Sequence, residues 1–142
     1  MTNGIDKVLR SFTGEKNSIS SIYGFISETV LSAGGNGGDV ASMELIADEI
    51  FTNITSYAGP GGAEYPVTLE IGVENGVVSM TFIDCGIPFD PTSAPSPDIE
   101  LSAGEREIGG LGIHMIRCIT DEISYERDGD KNVLTVKKRL GE

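Results

Sequence analysis

Three stretches of this 142-residue chain carry residue types suited to chemistry. In "DEIFTN" (48–53), Glu49 and Asn53 stand four apart, so an acid and an amide stack on one helical face at the shoulder of its apolar stripe. In "DCG" (84–86), Asp84 closes a run whose alternate residues Val78, Met80 and Phe82 are apolar, and strict alternation aims its carboxylate at the core side. A buried carboxylate is costly unless a donor meets it. In "GGLGIH" (109–114), glycines precede an apolar helix, and a helix N-terminus with free N–H groups is a ready phosphate site. Taken singly, each has a plainer reading: a helix shoulder making local hydrogen bonds, a strand entering a turn, and a tight connection.

The elements that must position these residues follow from periodicity. Ile19, Ile22, Tyr23, Ile26 and Val30 recur at helical spacing over about 17–31, and "AGGNGG" (33–38) ends that helix. Asp39 or Ser42 is expected to cap a second helix, whose stripe is Met43, Ile46, Ile50, Ile54 and Tyr57 and which "AGPGGAEYP" breaks near Ala58. A hairpin follows over 67–84, with Asn75-Gly76 as its two-residue turn and Val67, Leu69, Ile71 and Val73 as the partner apolar face. Residues 85–108 carry no sustained period, a loop this long in a small domain is often a functional lid, and 91–107 is expected to order only with nucleotide or partner. Further strands are expected at about 7–12, 122–127 and 133–138.

Composition narrows the function classes. Ten basic and 22 acidic residues give a formal charge of −12, which repels nucleic acid and anionic membranes. Any phosphate ligand would have to be held by backbone N–H groups, a metal ion and a few local cations. Cys85 and Cys118 lack metal-ligand spacing and read as reduced thiols. No stretch is apolar for long enough to span a membrane and no leader is evident, so a single-domain cytoplasmic protein is expected.

In order along the chain, an acid and amide four apart on a helix, an inward Asp-x-Gly, a long loop and a Gly-rich helix start resemble the Bergerat ATP-binding fold of the GHKL superfamily. The resemblance covers about 17–140, and "FDP" with "GGLGIHMI" looks most like the anti-sigma factor serine kinases of the RsbW type. It implies an α/β, two-layer architecture: a mixed, mainly antiparallel sheet with helices on one face. It further implies Mg²⁺ on the oxygen of Asn53, Glu49 as the group that orients or deprotonates the attacking hydroxyl, and Asp84 accepting from the adenine amino group. Gly86 would let the backbone approach the base, Gly110 and Gly112 would present N–H groups to phosphate, and Arg106 would meet the γ-phosphate. Thr135 would reach the adenine, although alternation in its strand does not decide its face.

Two departures mark the branch. Pro88 stands where a second glycine is common in the first glycine box, stiffening the lid entry, and the basic residue that many relatives carry after the acid–amide pair is missing from "TSYAG". The function implied is an ATP-dependent protein serine/threonine kinase that phosphorylates an anti-anti-sigma (STAS) partner and sequesters a sigma factor, with a homodimer as an option. The alternative is a non-catalytic, nucleotide-gated binding switch. A histidine kinase needs a phosphoacceptor on a helical hairpin, and the one histidine, His114, lies inside the second glycine box.

Overall fold

The computed structural model describes residues 6–13, 18–57, 66–88, 90 and 110–141. Five strands, β1 (Asp6–Thr13), β2 (Pro66–Glu74), β3 (Val77–Asp84), β4 (Glu122–Asp128) and β5 (Lys131–Arg139), form one sheet in the order β1-β2-β3-β5-β4. Three helices, α1 (Ser18–Ser32), α2 (Gly37–Tyr57) and α3 (Gly110–Ile119), complete the described elements. No helix among them is long and apolar enough to cross a membrane.

Every described strand pairing is antiparallel, so the expected mainly antiparallel sheet contains no parallel ladder among these residues. The connectivity explains this. The crossover through α3 makes β3 and β4 run in the same direction, but β5 lies between them and opposes both. The β2–β3 hairpin turns on Asn75 (φ 52°) and Gly76 (φ 76°), the two positive φ values that a type I′ turn requires.

The core lies between the helices and one face of the sheet. Val67, Leu69 and Ile71 of β2, Val78, Met80 and Phe82 of β3, and Leu134 and Val136 of β5 are buried on that face. Against them pack Ile22, Phe25, Ile26 and Val30 of α1 and Met43, Ile46, Ala47, Ile50 and Phe51 of α2. Each fully buried side chain of this size contributes about 1.5–3 kcal/mol. The opposite face carries Glu70, Ser79, Thr81, Thr135 and Lys137 along a polar groove.

The α1–α2 connection is defined by its caps. Gly34 (φ 94°) takes the left-handed position after α1, with Gly35 N–H donating to Val30 O (2.9 Å) and Gly34 N–H to Leu31 O (3.1 Å). The cap of α2 is Asn36, where Asp39 or Ser42 was expected. Asn36 Oδ1 accepts from Asp39 N–H (2.9 Å), while Asp39 Oδ2 accepts from Asn36 N–H (2.8 Å), a reciprocal box that satisfies two donors at the helix start. Asp39 Oδ1 also accepts from Gly141 N–H (2.9 Å), which fixes the start of α2 beside the end of β5.

Candidate active site

The acid–amide pair lies on the buried side of α2. Asn53 is 6% exposed, and its Nδ2 donates to both the Glu49 carbonyl (2.8 Å) and Glu49 Oε2 (2.9 Å). Both partners are acceptors, so the amide cannot turn over without losing two hydrogen bonds. Asn53 Oδ1 is therefore kept as an acceptor, with no partner among the described residues. Burial, reinforced by Asp48 and opposed by the Asn53 hydrogen bond, raises the Glu49 carboxyl above its usual 4.5 and makes it a stronger base than an exposed glutamate. The local hydrogen bonding of a plain helix shoulder is thus present, and one neutral oxygen is left over.

Asp84 ends β3 facing inward, as alternation requires, and is 6% exposed. Its Oδ1 accepts from Gly86 N–H (2.8 Å), closing a tight turn, and from Asn132 Nδ2 (3.1 Å). Protein donors therefore meet the burial of one oxygen, so the donor that burial demands need not come from adenine. The second oxygen, Oδ2, has no partner among the described residues. Gly86 is buried in the same turn.

Topology sends α2 towards the Asp84 end of the sheet. Asp84 pairs in register with Asn132 at the start of β5, whereas Asp39 is tied to Gly141 beyond its finish. From that far end α2 runs back over the core, and at 1.5 Å per residue Asn53 lies about 21 Å along it, towards the Asp84 end. α3 leads into β4 at the far end, where Asp121 N–H bonds Lys137 O (2.8 Å). Gly110 is the first residue of α3 and Gly112 lies in its first turn. Backbone N–H groups of that turn have no acceptor within the helix.

Two expectations need comment. Thr135 does not share the Asp84 face: it pairs with Thr81 across the outer surface, hydroxyl to hydroxyl at 3.0 Å, so it cannot reach a base held by Asp84. Asn132 is the β5 residue beside Asp84, and sequence reasoning missed it; the buried pair Leu134 and Val136 at its own alternation was the available signal. Arg106 and the lid at 91–107 lie outside the described residues.

The donor set suits a hard cation coordinated partly by a ligand. Asn53 Oδ1 is a neutral oxygen of the kind Mg²⁺ takes, and no described group of three or more His, Cys, Asp or Glu forms a dedicated cage.

Comparison with known proteins bears on the family and the fold. Serine/threonine-protein kinase BtrW of Bordetella bronchiseptica is 33% identical over 95 residues, 67% of each chain. The structure of the RsbU and RsbW domains of a Mycobacterium tuberculosis protein superposes with a TM-score of 0.67 at 13% identity, over 95% of this chain and 32% of that one. The Acinetobacter baumannii histidine kinase AdeS gives 0.50 at 14% identity, over 95% of this chain and 68% of that one. At such identities the two structures speak for the fold alone. The family model for the histidine kinase-like ATPase domain matches residues 12–138, which span the acid–amide helix, the inward Asp-x-Gly and the glycine-led α3 alike, and the chain belongs to that family.

Proposed function

We propose that the protein is an ATP-dependent protein serine/threonine kinase of the anti-sigma type. The observation that carries the reading is the division of labour within the pair on α2: Asn53 spends both amide hydrogens on Glu49 and keeps Oδ1 as an acceptor, while Glu49 remains a base strengthened by burial. The adenine amino group donates to Asp84 Oδ2, and Gly86 lines the base. Gly110 and Gly112 offer backbone N–H groups to the phosphates, and Arg106 supplies the local cation.

Mg²⁺, when bound, offsets the triphosphate charge, and Asn53 Oδ1 is the atom of this chain that would hold it. Glu49 accepts the proton of the attacking serine hydroxyl as that oxygen bonds the γ-phosphorus and ADP departs. The acceptor is a serine on a STAS-type anti-anti-sigma partner, and a sigma factor is bound when that partner is phosphorylated. Such a route to transcription passes through proteins, which suits a surface of net charge −12.

The test is transfer of labelled γ-phosphate to the partner, alongside sigma-factor capture with and without Mg-ATP. Transfer supports the kinase reading. Nucleotide-dependent capture without transfer reduces the protein to a gated binding switch, and no nucleotide binding at all overturns both.

A further inference from the structure

We propose that Asn132, Tyr125 and Arg127 are positioning residues that fix which oxygen of Asp84 is offered to the nucleobase, and so set the preference for a 6-amino over a 6-oxo purine. The inference rests on the nucleotide site proposed above.

Asn132 is 6% exposed and lies opposite Asp84 in the β3–β5 register. Its Nδ2 donates to Asp84 Oδ1 (3.1 Å) and to Ile87 O (2.9 Å). Its Oδ1 accepts from the Tyr125 hydroxyl and from Arg127 Nη1 (3.1 Å). An amide has two donors and two acceptor positions, and here all are engaged, so Asn132 can neither flip nor swing. A cation and a phenol pulling on Oδ1 polarise the amide and strengthen the bonds that Nδ2 gives away.

Arg127 acts a second time on the same turn. Its Nη1 also donates to Gly86 O (2.9 Å), and its Nε to Gly129 O (3.1 Å) in the β4–β5 turn. The exit of β3 is thereby held at Asp84 Oδ1, at Gly86 O and at Ile87 O, all from one hairpin. With Oδ1 occupied by Gly86 N–H and Asn132 Nδ2, Oδ2 stands as a fixed acceptor. A 6-amino purine meets it with a donor. A 6-oxo purine meets it with another acceptor, and a carboxylate that cannot rotate cannot move its charge aside.

The experiment titrates parent, Asn132→Leu, Arg127→Leu and Arg127→Lys with Mg-ATP and Mg-ITP by calorimetry, with circular dichroism confirming the fold. The parent is expected to favour ATP by roughly 10- to 100-fold. Asn132→Leu and Arg127→Leu are expected to compress that ratio to about threefold or less. Arg127→Lys, which keeps the charge but not the fork, falls between them. Arg127 is only half-buried, so its variants carry the test even if Asn132→Leu does not fold. ATP and ITP weakening in parallel, with the ratio preserved, would mean a merely structural brace and overturn the proposal. A parent that binds both nucleotides equally overturns it while leaving the nucleotide site intact. A parent that binds neither overturns the nucleotide site as well.

Discussion

Replacing Asp84 by asparagine is expected to leave the fold standing while weakening ATP binding by about 2–3 kcal/mol. The new amide has two possible orientations. With its oxygen in the place of Oδ1 it keeps the bonds from Gly86 N–H and Asn132 Nδ2. Turned over, its NH₂ would face two donors and forfeit both bonds, at about 1 kcal/mol each. The first orientation therefore dominates, and the stability cost stays within about 1 kcal/mol. It also puts an NH₂ where Oδ2 was, donor against the donor of adenine. Losing a hydrogen bond to a charged acceptor costs about 1.5–3 kcal/mol; facing donor with donor puts this loss in the upper part of that range, about 2–3 kcal/mol, so Kd for ATP should rise roughly 30- to 150-fold. The same NH₂ suits the 6-oxygen of ITP, whose affinity should hold or improve. Calorimetry with a non-hydrolysable ATP analogue and with ITP measures both, and a thermal melt checks the fold. An Asp84→Asn protein that binds the analogue as tightly as the parent would refute the reasoning and leave Asp84 a structural residue.

Four further outcomes are expected. Glu49→Gln should keep near-parent Mg-ATP affinity and lose phosphoryl transfer by about 10²- to 10⁴-fold, whereas Asn53→Ala should lose both; transfer at the parent rate by Glu49→Gln would move the base elsewhere. Because the folded Glu49 value is raised above 4.5, its stabilising contribution is full below that pH and is lost as pH rises through the folded value. Glu49→Gln should therefore melt higher than the parent at neutral pH and lose that advantage near pH 4, and an equal difference at both would refute the assigned cause. A Cβ on Gly35 would stand 2.5 Å from Val30 Cγ1 and 3.0 Å from Val30 O, with Val30 itself buried, so Gly35→Ala should cost about 1–3 kcal/mol by denaturant titration. Thr135→Ala should leave ATP affinity unchanged by calorimetry, since Thr135 lies on the outer sheet face with Thr81.

How far the sequence could be read depended on whether the deciding contact was local. The β2–β3 turn was legible because Asn-Gly tolerates two successive positive φ values, and the inward Asp84 followed from a period of two. The cap of α2 was hidden inside a glycine run that reads as a helix stop: Asn36 bonds Asp39 across Gly37 and Gly38, two residues that suggest no helix at all. Strand β5 was ambiguous because Val133 and Leu134 are apolar on opposite faces. The pair Leu134 and Val136 tips the balance towards Asn132, and the register with β3, Asp84 to Asn132 and Thr81 to Thr135, fixes which residue meets the site. The contacts of Arg127 and Asn132 with the β3 exit join residues more than 40 apart, and no window of sequence displays them.

The place of β5 in the sheet bears on the order in which the molecule can fold. β3 and β4 precede it in the chain, yet among the described residues the two are joined in the sheet only through it. The β1–β2–β3 sheet and the local β4–β5 hairpin can each form early, but the sheet is complete only when β5 pairs with β3. Pairings of such wide sequence separation are slow to close, because the loop entropy is lost before the contacts reward it. Asn132 enters with that strand, so the exit of β3 reaches its final geometry only at this late step. Nucleotide added during refolding should then bind in the slowest phase, and its stabilisation would fall on finished molecules alone.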